Sequence, residues 1–135
     1  MNATQVGLVQ TSFRKVLPSA GAVGALFYQQ LFASAPQLRP LFKGDLQEQQ
    51  TKLMAMLRYV VERLDALPTI LRDIQDLAQR HVRYGVLPEH YALVGAALLA
   101  TLEKGLGPDF DAETRAAWEA AYGVLSGAMV QSAAW

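Results

Sequence analysis

Asp73-Ile-Gln-Asp-Leu-Ala-Gln-Arg-His81-Val-Arg-Tyr-Gly85 places a histidine in register with the apolar residues Ile74 and Leu77. Ile70, just before, extends the stripe, so positions 70, 74, 77 and 81 share one face of an α-helix. Arg72, Asp73, Asp76, Arg80 and Arg83 fall mostly off that face. The spacing predicts a helix, ended by Gly85 as a left-handed cap, that turns an imidazole inward among aliphatic side chains. An inward imidazole needs a hydrogen-bond partner or a metal, because an unpaired polar group is costly in an apolar interior. On this helix alone, a satisfied core histidine is the better reading.

Outward from this helix, proline and glycine divide the chain into further helices joined by short links. A first amphipathic helix is expected over about 4–16, with Val6, Val9, Phe13 and Val16 or Leu17 inward. Pro18-Ser19 ends it. A second helix follows over about 20–33, with Val23, Phe27 and Leu31 on one side and Gly21 and Gly24 able to admit another backbone. Pro36 and Pro40 frame a tight turn ending at Phe42. Asp45-Leu-Gln-Glu48 has the form of a capping box, opening a helix to about residue 64. Its inward residues would include Leu46, Gln49, Leu53, Met56 or Leu57, and Val60.

Pro68 precedes the histidine-bearing helix, and Pro88 suits the first turn of the next, which runs to about residue 104. Asp111 can cap a final helix to about residue 132, with Ala117, Tyr122, Leu125 and Met129 facing inward. About six major helices plus a short helical turn result. Their proline-broken links suit an irregular all-α assembly better than a regular bundle.

The 135 residues amount to one domain, 1–135, large enough for a core without staples. Alanine, leucine, glutamine, glutamate and arginine dominate, and strand-forming runs are missing, which fits the all-α reading. Lys+Arg and Asp+Glu both number 12, so the chain lacks the general basic balance that grips nucleic acid or an anionic membrane. Cysteine is absent, which excludes disulfides, thiolate catalysis and cysteine metal sites. No opening segment resembles a signal peptide, and no apolar run is long enough to span a bilayer. The expectation is a cytoplasmic protein, monomer or homodimer.

Three further residues bear on His81. Gln49 shares a helical face with Leu46 and Leu53, Tyr28 sits in an apolar run, and Phe42 ends the proline turn. Singly, each has a plain explanation: a wet helix start, a tyrosine bonded to a backbone carbonyl, a core phenylalanine. Together they fall into a pattern: Phe27-Tyr28-x-x-Leu31-Phe32, Pro36-x-x-Arg39-Pro40-Leu41-Phe42, Gln49-x-x-x-Leu53, Leu67-Pro68, Gln79-Arg80-His81, His90-Tyr91-x-x-Val94-Gly95 and Ala117-Trp118-x-x-Ala121-Tyr122-Gly123-Val124. In the order and spacing of these stretches the chain resembles the globins over essentially its whole length, most closely the single-domain bacterial haemoglobins and the globin part of flavohaemoglobins.

The resemblance implies a globin fold around one haem b, with His81 as the proximal iron ligand. Phe42, Leu53, Tyr91 and Val94 would line the porphyrin, and Tyr28 and Gln49 would face the bound diatomic ligand (O2, CO or NO). Gln50 is an alternative register, although placing Leu53 over the ring favours Gln49. Both a phenol and an amide can donate a hydrogen bond to a polarised ligand. His90 lies at a helix boundary and reads as a surface residue.

One departure stands out. The family places a carboxylate as well as a tyrosine beside the proximal histidine; the tyrosine is matched by Tyr91, but the carboxylate position falls on Ala133. His81 is then expected to donate to a backbone carbonyl, without the electron push a carboxylate provides. The sequence ends at Trp135, so a reductase is expected to be a separate protein. The implied activities are reversible oxygen binding for storage, delivery or scavenging, or nitric oxide dioxygenation with that reductase. A haem-free helical interaction module would make His81, Gln49 and Tyr28 coincidences.

Overall fold

A computed structural model describes residues 1–132, and the regular structure among them is all helical. Helix α1 (Ala3–Val16) opens on a capping box: the Gln5 amide donates to the Asn2 side chain at 2.8 Å, and the Asn2 amide donates to Gln5 Oε1 at 3.1 Å. Val9, Phe13 and Val16 are buried, as the apolar spacing predicts. A 3₁₀ turn over Leu17–Ser19, with Pro18 inside, leads into α2 (Ala20–Ser34). There Phe27, Tyr28 and Leu31 are buried. Of the two glycines expected to admit a neighbour, Gly24 does so and Gly21 does not. A Cβ on Gly24 would stand 3.1 Å from Gln50 Cβ, whereas nothing approaches within 4 Å at Gly21.

The 3₁₀ turn Pro36–Leu41 carries the chain to α3 (Leu46–Val61). Asp45 caps α3, accepting from the Gln47 amide at 3.0 Å. The full capping box expected at Asp45–Glu48 is replaced by this simple cap: the short aspartate side chain reaches the second helical amide, and Glu48 stays exposed. α3 ends at Val61 rather than near 64, and a kinked 3₁₀ stretch over Leu64–Ile70 follows, with Ala66 outside helical dihedrals (φ −139°, ψ 38°). The stripe of α3 also sits differently from the prediction. Met54, Leu57, Val60 and Val61 are buried, while Leu46, Gln49, Leu53 and Met56 are only half-buried. Two apolar faces exist on this helix, and only one is fully buried.

Helix α4 (Leu71–Arg83) buries Ile74 and Ala78 and leaves Leu77 and His81 half-buried. α5 (His90–Leu106) begins two residues after Pro88, so that proline precedes the helix instead of lying in its first turn. The Leu87 amide donates to His90 Nδ1 at 3.0 Å, which gives His90 a role at the helix entry. α6 (Ala112–Ser132) is started by Asp111, whose carboxylate accepts from the Thr114 amide at 2.8 Å. Its buried residues include Ala117, Trp118, Ala121 and Met129, with Tyr122 and Leu125 half-buried.

α1 packs on α6, α2 on α5 and α3, and α4 on α6, so the core lies among crossed helices. Ser12 and Trp118 lock the α1–α6 contact: the indole N–H donates to the Ser12 hydroxyl at 2.8 Å, both residues being buried. α3 and α4 share no such extended interface. At its far end Tyr59 of α3 donates to Asp73 of α4 at 2.6 Å, and the Arg63 guanidinium lies over the Tyr59 ring at 4.0 Å. No helix among the described residues is long and apolar enough to cross a membrane.

Candidate functional site

His81 sits in the last turn of α4, where the chain is closed off with unusual thoroughness. Gly85 has φ +90°, a conformation that favours glycine, and its amide donates to the Val82 carbonyl at 3.0 Å. The next amide, Val86, donates to the carbonyl of His81 itself at 3.0 Å. This pair of bonds is a Schellman termination, and it pins the backbone of His81. The side chain is pinned as well: Nδ1 lies 2.8 Å from the Leu77 carbonyl oxygen. A carbonyl can only accept, so Nδ1 carries the hydrogen and Nε2 presents its lone pair. Burial lowers the His81 pKa; the Leu77 bond opposes this, and Arg80 nearby reinforces it. The result is a neutral imidazole with one nitrogen occupied and the other available to a metal.

Tyr91, near the start of α5, stacks beside this imidazole, with ring centroids 6.3 Å apart and planes inclined by 21°. Val94, one turn further along α5, is half-buried. The tyrosine–histidine neighbourhood expected from the sequence is present. Ala133, the position at which a carboxylate was missed, lies outside the described residues. The expected carbonyl partner of His81 is Leu77.

On the other side, the proline turn sets Phe42. Arg39 Nη1 donates to the Phe42 carbonyl at 2.8 Å, and the same guanidinium lies over the Phe32 ring at 5.3 Å. Phe42 is thereby held edge to face against Phe32 (5.4 Å) and against Tyr28 (5.3 Å). Tyr28 and Phe42, distant in sequence, are brought together. Tyr28 is buried, and burial pushes its pKa up to about 12. The carbonyl-bonded tyrosine considered for position 28 is found instead at Tyr122, whose hydroxyl donates to the Tyr91 carbonyl at 2.6 Å. Gln49 and Leu53 occupy the half-buried face of α3, while Gln50 turns toward Gly24 of α2.

These residues divide between two walls. Phe42, Gln49, Leu53 and Met56 are half-buried on the α3 side, and Leu77, His81, Val86 and Val94 are half-buried on the α4–α5 side. Apolar residues left half-covered on neighbouring helices that do not pack together are what a flat apolar cofactor requires. The chemistry of the set fits an iron porphyrin: one neutral imidazole as a metal donor, aromatic and aliphatic side chains, and neutral hydrogen-bond donors in Tyr28 and Gln49. Among the described residues no cluster of three or more His, Asp or Glu could hold a bare metal ion. A separate groove of about 520 Å³ opens behind α3, between Ala20, Gly21, Met54 and Arg58, and includes none of the residues above except Gln50.

Sequence reasoning missed Tyr84, whose ring lies 6.3 Å from that of His81, and the seat of Tyr122 on Gly95. The i,i+3 spacing of His81 and Tyr84 could have found the first. The second is a contact between α5 and α6 that no local pattern encodes.

The globin family model matches residues 25–129. The chain is 36% identical over 107 residues to a flavohemoprotein of Bordetella pertussis and 31% identical over 107 residues to one of Bacillus subtilis. Those matches take in 77% of this chain but 27% of each relative, so the chain spans about a quarter of their length. Among solved structures it is similar to a bacterial globin from Campylobacter jejuni (TM-score 0.85, 25% identity, 97% of this chain and 95% of that one). It is also similar to an engineered carbene transferase from Rhodothermus marinus built on a proposed nitric oxide dioxygenase (TM-score 0.85, 28% identity, 94% and 89% covered).

Proposed function

The chain belongs to the globin family, and from that premise we propose that it holds one haem b between α3 and α4 and binds dioxygen reversibly there. The observation that carries the reading is the Nδ1–H of His81 donated to the Leu77 carbonyl, which directs Nε2 outward as a neutral ligand. Bound haem would supply an iron able to take that nitrogen and to bind O2, CO or NO. Phe42, Leu53, Tyr91 and Val94 hold the porphyrin and keep water from it. Tyr28 stays protonated throughout the working pH range because burial holds its pKa near 12, so its hydroxyl remains a donor toward the ligand. Gln49 supplies a second neutral donor. The activity suits oxygen storage, delivery or scavenging in the cytoplasm.

A second reading, nitric oxide dioxygenation, is favoured by the similarity to flavohemoproteins and to the carbene transferase scaffold. Overall, one NO, one O2 and one electron give one nitrate, so a separate reductase would have to deliver the electron. Sustained nitric oxide consumption over many turnovers with a supplied reductase supports this reading; a single stoichiometric burst rejects it.

The primary reading is tested by optical spectroscopy. Protein supplied with haem should show a Soret band that shifts with carbon monoxide, and His81→Ala should lose tight haem retention. Unchanged haem content in that variant would sink the ligand assignment. Tyr28→Phe and Gln49→Leu should each speed oxygen dissociation by about fivefold, the factor for one net hydrogen bond of about 1 kcal/mol. Stopped-flow rates equal to wild type in both variants would reject the distal pair.

A further inference from the structure

The two walls of the cleft are backed by different helices: α3 packs on α2, α4 packs on α6, and the stretch Leu64–Ile70 joins them. Leu64 and Ile70 are buried and anchor the ends of this link, while Ala66 between them leaves helical dihedrals (φ −139°, ψ 38°). The pair therefore forms a jaw, with its vertex at the link and its mouth toward Gln49 and His81. Close to the vertex a side chain crosses from one arm to the other: the Tyr59 hydroxyl donates to the Asp73 carboxylate at 2.6 Å. Arg63 braces the tyrosine, its guanidinium 4.0 Å from the ring centroid and its Nη1 donating to the Tyr59 carbonyl at 3.0 Å. Burial does not account for this arrangement, since Tyr59 is 37% exposed and Asp73 is exposed too.

Tyr59 stands two residues before the end of α3, and Asp73 two residues after the start of α4. At roughly 1.5 Å of rise per residue, Leu53 lies about 9 Å and His81 about 12 Å further along their arms. Arms pinned near the vertex cannot spread at the mouth without stretching the pin, and a hydrogen bond weakens steeply when its geometry is pulled apart. We infer that Tyr59 is a positioning residue: tied to Asp73 and braced by Arg63, it fixes the angle between α3 and α4, and with it the width of the cleft between Leu53 and His81. The hold on the cofactor then depends on a bond that does not touch it. The inference rests on the proposal that this cleft holds haem. If the pair were only a surface contact, losing it would leave the width of the cleft as it was.

The chain has no cysteine, so spin labels can be set on the full-length apoprotein at Lys52→Cys on α3 and Arg83→Cys on α4, both exposed positions. Tyr59→Phe keeps the ring and loses the hydroxyl, and Asp73→Ala removes the acceptor. In each, the label-to-label distances from pulsed dipolar spectroscopy should spread toward longer values. The double variant should do no more than either single one, because the same bond is lost. Ser12→Ala, which removes the buried bond between α1 and α6, should lower stability and leave the distances unchanged. Unchanged distances in Tyr59→Phe and Asp73→Ala overturn the inference, as does an equal spread in Ser12→Ala. In the loaded protein, ferric haem should pass to an excess of a competing apoglobin about two- to fivefold faster from Tyr59→Phe, the range an exposed pair can supply. A widened cleft with an unaltered rate of haem loss overturns the role in holding the cofactor. A wild-type protein that takes up no haem overturns the haem proposal instead, and the apoprotein distances then still decide whether Tyr59 sets the jaw.

Discussion

At His81 the local environment chooses both the charge and the tautomer of the ring. Burial favours the neutral imidazole, and the Leu77 carbonyl selects the form with hydrogen on Nδ1. Since the folded pKa lies below the ordinary 6.5, the unfolded chain takes up this proton first as the pH falls. Stability from this residue is therefore full above about 6.5, is lost on the way down to the lower folded value, and then levels off. Replacing His81 by phenylalanine should flatten that acid limb by up to about one proton. Urea unfolding of both apoproteins at a series of pH values between 7 and 5 measures it, and parallel curves would contradict the assignment. His81 also shows why the residue scale is hard to read from sequence. Its inward stripe was legible at once, but Leu77 was visible only as an aliphatic neighbour, and it is the Leu77 backbone that decides the imidazole's chemistry.

Among the elements, legibility followed the range of the interactions involved. Helices set by local periodicity and proline came out close to prediction: the expected helix over 4–16 is α1 at Ala3–Val16, and that over 20–33 is α2 at Ala20–Ser34. Gly85 was read correctly as a left-handed cap because only its own φ matters. Misreadings arose where a distant surface or a competing local geometry decided. On α3, where the spacing left Met56 or Leu57 inward, Leu57 is the buried one, while Leu53 and Met56 are half-buried at the edge of the core. The helix expected to run to 64 stops at Val61, where Arg63 Nη1 instead donates back to the Tyr59 carbonyl at 3.0 Å and the chain enters a 3₁₀ stretch. At this scale Gly85→Ala is the informative change. A side chain at φ +90° is strained, and its Cβ would also stand 3.3 Å from Leu41 Cδ2. The substitution should lower stability by about 1–2 kcal/mol and loosen the end of α4. Denaturant midpoints give the first, and faster amide exchange at Val86, whose N–H closes on His81, gives the second.

For the molecule as a whole, the joint between α1 and α6 ties together the two helices farthest apart in the described sequence. Trp118 is buried, and its indole N–H has Ser12 as its acceptor across 106 residues of chain. Ser12→Ala would leave a buried donor unsatisfied and should cost about 1–3 kcal/mol, seen as a lower unfolding midpoint with little change in denaturant slope. A midpoint equal to wild type would mean that another acceptor takes over the indole.

The same joint imposes an order on synthesis. α1 is made before α6, yet of the other helices it packs chiefly on α6. At roughly 5–20 residues per second, the interval between Ser12 and Trp118 is roughly 5–20 seconds, during which the apolar stripe of α1 lacks its main native partner. The nascent chain must keep it from sticking elsewhere. Only when α6 arrives can α1 settle against it.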